Sequence, residues 1–490
     1  MTTTTQSCDF VLFGVLGDLA QRKLLPAIYQ LERTGLLASD TQIIGVAREA
    51  MELESFKENV EQTIRKYVDS SEYCNDTMQR LLGKLHYCLL DLADIEAYRT
   101  LTQVVDNKKR TPVFYFATPP KLFPVICDGL ASVDLTAQPA RVVLEKPLGH
   151  DLESSRQINK HIAHHFDESQ VYRIDHYLGK ETVLNLLALR FANAIFSSNW
   201  DHTSIDHIQI TAAEQVGVEG RWSYYDDAGQ LRDMVQNHLL QVLSLIAMEP
   251  PSRLDAENIR EEKLKVLKSL RPITASNVQT ETVRGQYSDG FVGEKKVPGY
   301  LNEEGARDNS RTETFVAIKA HIDNWRWAGV PFYLRTGKRM PEKRTEIVIV
   351  FRAQPHNIFR ESLPDLPANK LVIRLQPDEG VEIQMLNKVP GLGKTMRLNT
   401  TTLDLSFDET FSNNRIADAY ERLLLEVMEG NQSLFVHRNE VEHAWQWIDS
   451  IIAAWELTNE APKPYKAGSW GPTAAISLIA QDGRTWDDEL

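Results

Sequence analysis

Asp9-Phe10-Val11-Leu12-Phe13-Gly14-Val15-Leu16-Gly17-Asp18-Leu19-Ala20 is the stretch that decides the fold. An apolar run opens it and reads as a short buried strand. A helical period then continues through Leu24, Leu25, Ile28, Tyr29 and Leu31 and stops near Gly35. Strand, glycine turn and helix in that order is the context of a dinucleotide fingerprint, with Gly14, Gly17 and Ala20 in a GxxGxxA variant of the usual GxGxxG spacing. Glycine lets the backbone come close to a pyrophosphate, and the helix N-terminus adds amides and partial positive charge. On its own the variant spacing also fits an ordinary glycine turn.

The next strand sharpens the reading. Gln42-Ile43-Ile44-Gly45-Val46-Ala47 ends at Arg48. An acidic residue there would hold the ribose hydroxyls of NAD, whereas an arginine suits the 2′-phosphate of NADP. Further strands are expected over 85–92, 113–117 and 141–144, alternating with helical stretches over 51–68, 94–106 and 120–132. Such βαβα alternation implies a doubly wound, Rossmann-like parallel sheet, with ligands at the carboxyl ends of its strands. Gly14–Ala20, Thr118-Pro119-Pro120 and Glu145-Lys146-Pro147 should then line one crevice, with Lys146 set to meet both cofactor and substrate. His161, His164 and His165 fall on adjacent turns of a helix expected over 152–166. No carboxylate or thiol is arranged nearby in sequence to complete a coordination shell, so no metal is expected.

Arg173-Ile174-Asp175-His176-Tyr177-Leu178-Gly179-Lys180-Glu181 packs two cations, an imidazole and a phenol just before an apolar helical run. Polar groups on a turn braced by a helix suit the grip of an anionic, hydroxylated ligand, and the same composition also fits a solvated charged loop before a helix. Beyond it the texture changes. Residues 205–218 alternate like a half-buried strand carrying Glu214, and a long helical pattern over 230–248 carries Asp233 and His238. A histidine near apolar residues, in a cluster with Asp and Asn, fits a general base. Period-two segments at 312–322, 345–351, 370–376, 381–386 and 401–407 predict an antiparallel sheet of at least five strands, followed by helices over 414–429 and 439–456. The expected architecture is α/β plus α+β: a nucleotide-binding domain over 1–174 and, over 175–490, a domain with a large, mainly antiparallel sheet and a face for self-association.

Arg335, Lys338, Arg339, Lys343 and Arg344 crowd a basic tract into an acidic protein, a plausible phosphate or sugar grip. The tract Gly391-Leu392-Gly393-Lys394-Thr395 has Lys388 where a P-loop needs its first glycine, so nucleotide binding is not expected there.

At 490 residues the chain is too long for one core. Its formal charge of −14 argues against a nucleic-acid partner. Neither a signal peptide nor an uncharged run long enough to span a bilayer is evident. Cys8, Cys74, Cys88 and Cys127 are scattered, which fits reduced thiols and a cytoplasmic location.

Several of these motifs, in this order, resemble the glucose-6-phosphate dehydrogenase family: GVLGDLA (14–20), Arg48 at a strand end, EKP (145–147), RIDHYLGKE (173–181), DMVQNHLLQ (233–241) and GK…K (337–343). The resemblance implies NADP-dependent oxidation of the C1 hydroxyl of β-D-glucose 6-phosphate to the 6-phospho-lactone, the first step of the oxidative pentose phosphate pathway. It implies His238 as proton acceptor and Asp175 as its carboxylate partner. His176, Tyr177 and Lys180 would hold the phosphate, with Lys146, Glu214, Asp233, Lys338 and Lys343 positioning the sugar. NADP would be held by Gly14, Gly17, Asp18, Leu19, Arg48, Asp91 and Lys146, and the enzyme would be a homodimer or homotetramer. Leu16 departs from the family pattern, where a small or polar residue often stands, so a side-chain contact to phosphate is lost there while backbone contacts survive. A dehydrogenase for another sugar, or a non-catalytic NADP sensor, would share this fold. His238 and Asp175 speak against the sensor, which needs no base.

Overall fold

The computed structural model describes residues 6–392, 396–411 and 415–488. The chain forms two compact units, neither continuous in sequence. The first comprises Met1–Lys180, Pro251–Glu261 and Ala417–Glu442; the second comprises Glu181–Pro250, Glu262–Ile416 and His443–Leu490. The first unit therefore retains residues 175–180, beyond the boundary read at 174, and regains two later segments.

Six strands build the sheet of the first unit: β1 (Cys8–Phe13), β2 (Gln42–Ala47), β3 (Leu85–Leu89), β4 (Thr111–Phe116), β5 (Arg141–Leu144) and β6 (Val171–Arg173). All neighbours are parallel, in the order β3-β2-β1-β4-β5-β6. The order reverses between β1 and β4, which opens the crevice of a doubly wound sheet. Every residue of β1 and β4 is buried, as expected of strands covered by helices on both faces. Val11, Phe13, Ile44, Phe114, Phe116 and Val142 pack with helix residues such as Ile126, Leu130 and Ile162 in one core.

The register sets the site. Cys88, Val46, Phe13, Phe116, Leu144 and Arg173 lie in one row across the six strands. Asp91, Arg48, Gly14, Thr118, Lys146 and Asp175 each follow that row by one to three residues. Five interstrand steps span about 24 Å, a length suited to an extended dinucleotide with a second ligand beside it.

The second unit is built on nine strands. They are β7 (Ile205–Ala213), β8 (Thr282–Ser288), β11 (Phe315–His321), β12 (Pro331–Gly337), β13 (Arg344–Phe351), β14 (Lys370–Gln376), β15 (Gly380–Lys388), β16 (Leu398–Ser406) and β17 (Lys463–Lys466). A separate hairpin joins β9 (Gly290–Val292) to β10 (Lys295–Val297). The large sheet has the order β16-β15-β14-β13-β7-β12-β11-β8-β17. It is mainly antiparallel, with β7 and β12 parallel and β8 and β17 parallel. The β7–β12 pairing departs from a simple meander because more than a hundred residues separate the two strands in sequence. A connection of that length can return the chain in either direction.

The helix expected over 414–429 runs Ala419–Glu429, and residue 414 lies outside the described residues, as do 393–395 of the glycine-rich tract. Among the described residues no helix is long and apolar enough to cross a membrane.

Candidate active site

Gly14 ends β1 with φ +82°, in the left-handed region. A Cβ there would lie 2.8 Å from the carbonyl oxygen of Ala117 at the end of β4. Only glycine permits this approach of two strand ends. Gly17 N–H donates to Gly14 O (2.9 Å), closing a tight turn that delivers Asp18 and Leu19 to the first turn of the following helix. The turn is a backbone cradle that a side chain would fill, so the residues fit a dinucleotide pyrophosphate. Arg48 is exposed immediately past β2, and Asp91 is exposed past β3, where its Oδ1 accepts the amide of Ala93 (3.0 Å). Both follow strand ends on the same side of the switch point between β1 and β4.

At the far side of the crevice β5 leads into Glu145-Lys146-Pro147. Glu145 is buried and accepts a 2.5 Å hydrogen bond from the Tyr115 hydroxyl. Burial raises its carboxyl above the ordinary range, while Tyr115 and Lys146 partly offset the shift. This anchored neighbour holds Lys146 at the strand end.

β6 delivers the turn that follows. Asp175 is 3% exposed and caps the turn through Oδ1, which accepts the amide of Tyr177 (3.0 Å). The His176 ring stacks on Tyr420 (6.3 Å, 7° between planes), and Lys180 Nζ lies 4.7 Å from the centroid of the Tyr177 ring. His176, Tyr177 and Lys180 thus form one compact group. Gly179 is required beneath it, because a Cβ would meet Ala419 O at 2.5 Å and Leu423 Cγ at 2.9 Å. Arg173 does not join this group. It is 1% exposed, and its guanidinium donates to both carboxylate oxygens of Glu168 at 2.5 and 3.0 Å. Burial alone would raise the Glu168 carboxyl, but Arg173 holds it below its ordinary value.

In the second unit β7 and β12 run parallel and end level, with Ala213 opposite Gly337. Glu214 and Lys338, one residue further on each strand, therefore emerge side by side, and Lys338 Nζ lies 2.8 Å from Glu214 Oε2. Asp233 Oδ2 lies 3.8 Å from the same nitrogen. The Lys338 side chain is 1% exposed, whereas Glu214 and Asp233 are 28% and 15% exposed. A buried ammonium between two partly open carboxylates offers a donor and acceptors suited to sugar hydroxyls.

Asp233 and the buried His238 share a helix wound in π fashion over Leu231–Leu239. In an α-helix residues five apart point about 140° apart. Winding with i→i+5 hydrogen bonds brings them close to one face. The start of this helix is held by Glu313, whose Oε1 accepts the Leu231 amide (3.0 Å). Burial raises the Glu313 carboxyl, and the bond from Leu231 partly offsets that.

Residues 11–185 match the family model of the glucose-6-phosphate dehydrogenase NAD binding domain, and residues 187–487 match that of the glucose-6-phosphate dehydrogenase C-terminal domain. The chain belongs to the glucose-6-phosphate dehydrogenase family. It is 57% identical to the glucose-6-phosphate 1-dehydrogenase of Dickeya dadantii (strain 3937), over 100% of this chain and 99% of that one. A solved glucose-6-phosphate dehydrogenase in complex with its substrate glucose-6-phosphate superposes with a TM-score of 0.90 at 35% identity, covering 100% of both chains. The glucose-6-phosphate 1-dehydrogenase from Mycobacterium avium gives 0.86 at 36% identity, covering 99% of each. With family membership come the activity and the cofactor: the chain is an NADP-dependent oxidoreductase that oxidises glucose 6-phosphate.

The basic tract over 335–344 divides in two. Arg335 is buried against Trp486 and paired with Asp488 (2.5 Å). Arg339 pairs with Glu219 and Glu303, and Arg344 with Glu342 and Glu346. The three arginines are thus committed to ion pairs within the chain, as Lys338 is with Glu214 and Asp233. Lys343 stands exposed in the loop between β12 and β13. Two supporting residues were not singled out from sequence. Tyr420 lies within a capping box of Asp418 and Glu421 that a sequence pattern can reveal, but its stacking on His176 is a tertiary event. Glu313 carries no local signal at all.

Proposed function

We propose that the reaction removes hydrogen from C1 of β-D-glucose 6-phosphate to give 6-phospho-D-glucono-1,5-lactone, with His238 as the proton acceptor. NADP+, when bound, supplies the hydride acceptor. The observation that carries this reading is the π-wound helix, which turns the buried His238 toward the side of Asp233, itself beside Lys338 and Glu214. A sugar hydrogen-bonded to that trio would lie alongside the imidazole. C1 can release its hydride only as the hydroxyl proton leaves, so a neutral imidazole is the chemistry required. Asp175 acts as its carboxylate partner, fixing the tautomer and stabilising the imidazolium that forms.

His176, Tyr177 and Lys180 bind the phosphate. Its binding energy is remote from the reacting bond and holds C1 in position. Lys146 serves substrate and cofactor, and Lys343 completes the cationic side of the sugar site. Gly14, Gly17, Asp18 and Leu19 receive the pyrophosphate, Arg48 the 2′-phosphate, and Asp91 the adenosine. The first domain thus serves the cofactor, and the second serves substrate and self-association. In the cytoplasm the enzyme opens the oxidative pentose phosphate pathway as a homodimer or homotetramer. A long edge strand, β16, with Leu403 58% and Leu405 44% exposed, favours such self-association.

His238→Asn tests the assignment. Steady-state NADPH formation should fall by about 10²-fold or more in kcat while KM for glucose 6-phosphate stays near that of the native enzyme. A native kcat would remove His238 as the base.

A further inference from the structure

We propose that Asp128, His161 and His165 form a binding site for a divalent transition metal ion, zinc being the natural occupant, on the first unit. Along the chain the two histidines lack a third ligand. The fold supplies it: Asp128, on the helix Phe123–Ala131, lies with its Oδ1 2.9 Å from His161 Nε2 and 2.8 Å from His165 Nε2. The potential ligand atoms all lie within 4.8 Å of one another. His161 is in the last turn of the helix Leu152–Ile162, and the amides of His165 and Phe166 both bond to Ile162 O, so the helical path continues to His165. Residues four apart on such a path face the same way. His164 is exposed and is not part of the group.

Three features make this a built site. Each ligand is flanked by a residue sunk in the core of the unit: Cys127 beside Asp128, Ile162 beside His161 and Phe166 beside His165, all at most 2% exposed. The ligand side chains themselves are 21–47% exposed, which gives an ion a path and leaves room for a water ligand. The group also lies toward the carboxyl ends of both helices, where the peptide dipoles favour a cation.

Two imidazoles and one carboxylate, with water in the fourth position, make a ligand set for Zn²⁺ or Co²⁺ rather than for Mg²⁺ or Ca²⁺. Tetrahedral zinc separates its N and O ligands by about 3.3 Å. The present contacts must open by roughly half an ångström, a rotamer adjustment for half-exposed side chains. Each imidazole would turn its Nε2 lone pair to the ion and carry its proton on Nδ1.

The eleven-residue helix Leu152–Ile162 puts about 15 Å between this end and the end that follows Lys146. The ion would therefore act as a staple between two helices of the cofactor domain, apart from the chemistry.

Full-length enzyme freed of metal by chelation, then titrated with Co²⁺, tests this. The native protein should take up one Co²⁺ per chain with visible d–d absorption, displaced by Zn²⁺. His165→Gln and Asp128→Asn should weaken binding by about tenfold or more, while His164→Gln leaves it unchanged. Zn²⁺ should raise the thermal midpoint of the native protein and not of these two variants. Native dehydrogenase rates in the metal-free variants will verify that they are folded. Absence of Co²⁺ uptake by the native protein, equal uptake by the His161→Gln/His165→Gln double variant, or loss of uptake in His164→Gln would each overturn the proposal.

Discussion

Replacing Arg48 by alanine tests the proposed contact that would distinguish NADP from NAD. Arg48 is the first residue beyond β2 and its side chain is exposed, so its loss should change stability by no more than about 0.5 kcal/mol. What disappears is the charge-assisted hydrogen bonding of a guanidinium to the 2′-phosphate. An interaction of that kind contributes about 1.5–3 kcal/mol. Converted at about 1.4 kcal/mol per factor of ten, the loss corresponds to roughly ten- to 150-fold weaker NADP+. NAD+ has no 2′-phosphate and should change by less than about twofold. Initial rates of NADPH and NADH formation, each measured against cofactor concentration at saturating glucose 6-phosphate, give both KM values from one protein. Equal weakening of the two cofactors, or none of either, would show that Arg48 does not read the 2′-phosphate.

Two further outcomes follow from packing and from ionisation. Gly179→Ala forces a methyl group to within 2.5 Å of Ala419 O. The strain should cost about 1–3 kcal/mol, lower the thermal midpoint and raise KM for glucose 6-phosphate by displacing His176 and Lys180; an unchanged midpoint and KM would contradict the contact. Burial raises the Glu346 carboxyl from 4.5 to about 7, with Arg344 partly opposing. The folded chain then holds this proton more tightly than the unfolded chain, so stability from this group is present below the unfolded value and is lost as pH rises toward the folded one. The thermal midpoint of Glu346→Gln relative to the native protein should accordingly increase between about pH 5 and pH 8, and a difference independent of pH would refute the assignment.

Much of the architecture was legible from local periodicity. β2, β5 and β14 have the ends read from their apolar runs, and the glycine turn at Gly14 has the conformation that its spacing implied. Each of these depends on near neighbours in the chain: alternation, a helical period, or a position that only glycine occupies comfortably. β12 was not legible. Its sequence, Pro331-Phe332-Tyr333-Leu334-Arg335-Thr336-Gly337, is buried throughout, so both faces lack the polar alternation that marks a strand. The three-residue β6 is too short to carry a period.

The sequence by itself determined the class of fold, the order of the strand ends and the inventory of ionisable groups, because these depend on short-range patterning. Only the tertiary structure decided what each charge does. Arg173, Arg335, Arg339 and Arg344 look as available for a ligand as the exposed Lys343, yet all four are committed to carboxylates of the same chain. Asp233 and His238 are turned toward one side of their helix by a winding that no α-helical period predicts. Asp128 joins two histidines more than thirty residues away. An ion pair or a ligand set depends on distances of a few ångströms between side chains on different elements, and those distances exist only after the elements have packed.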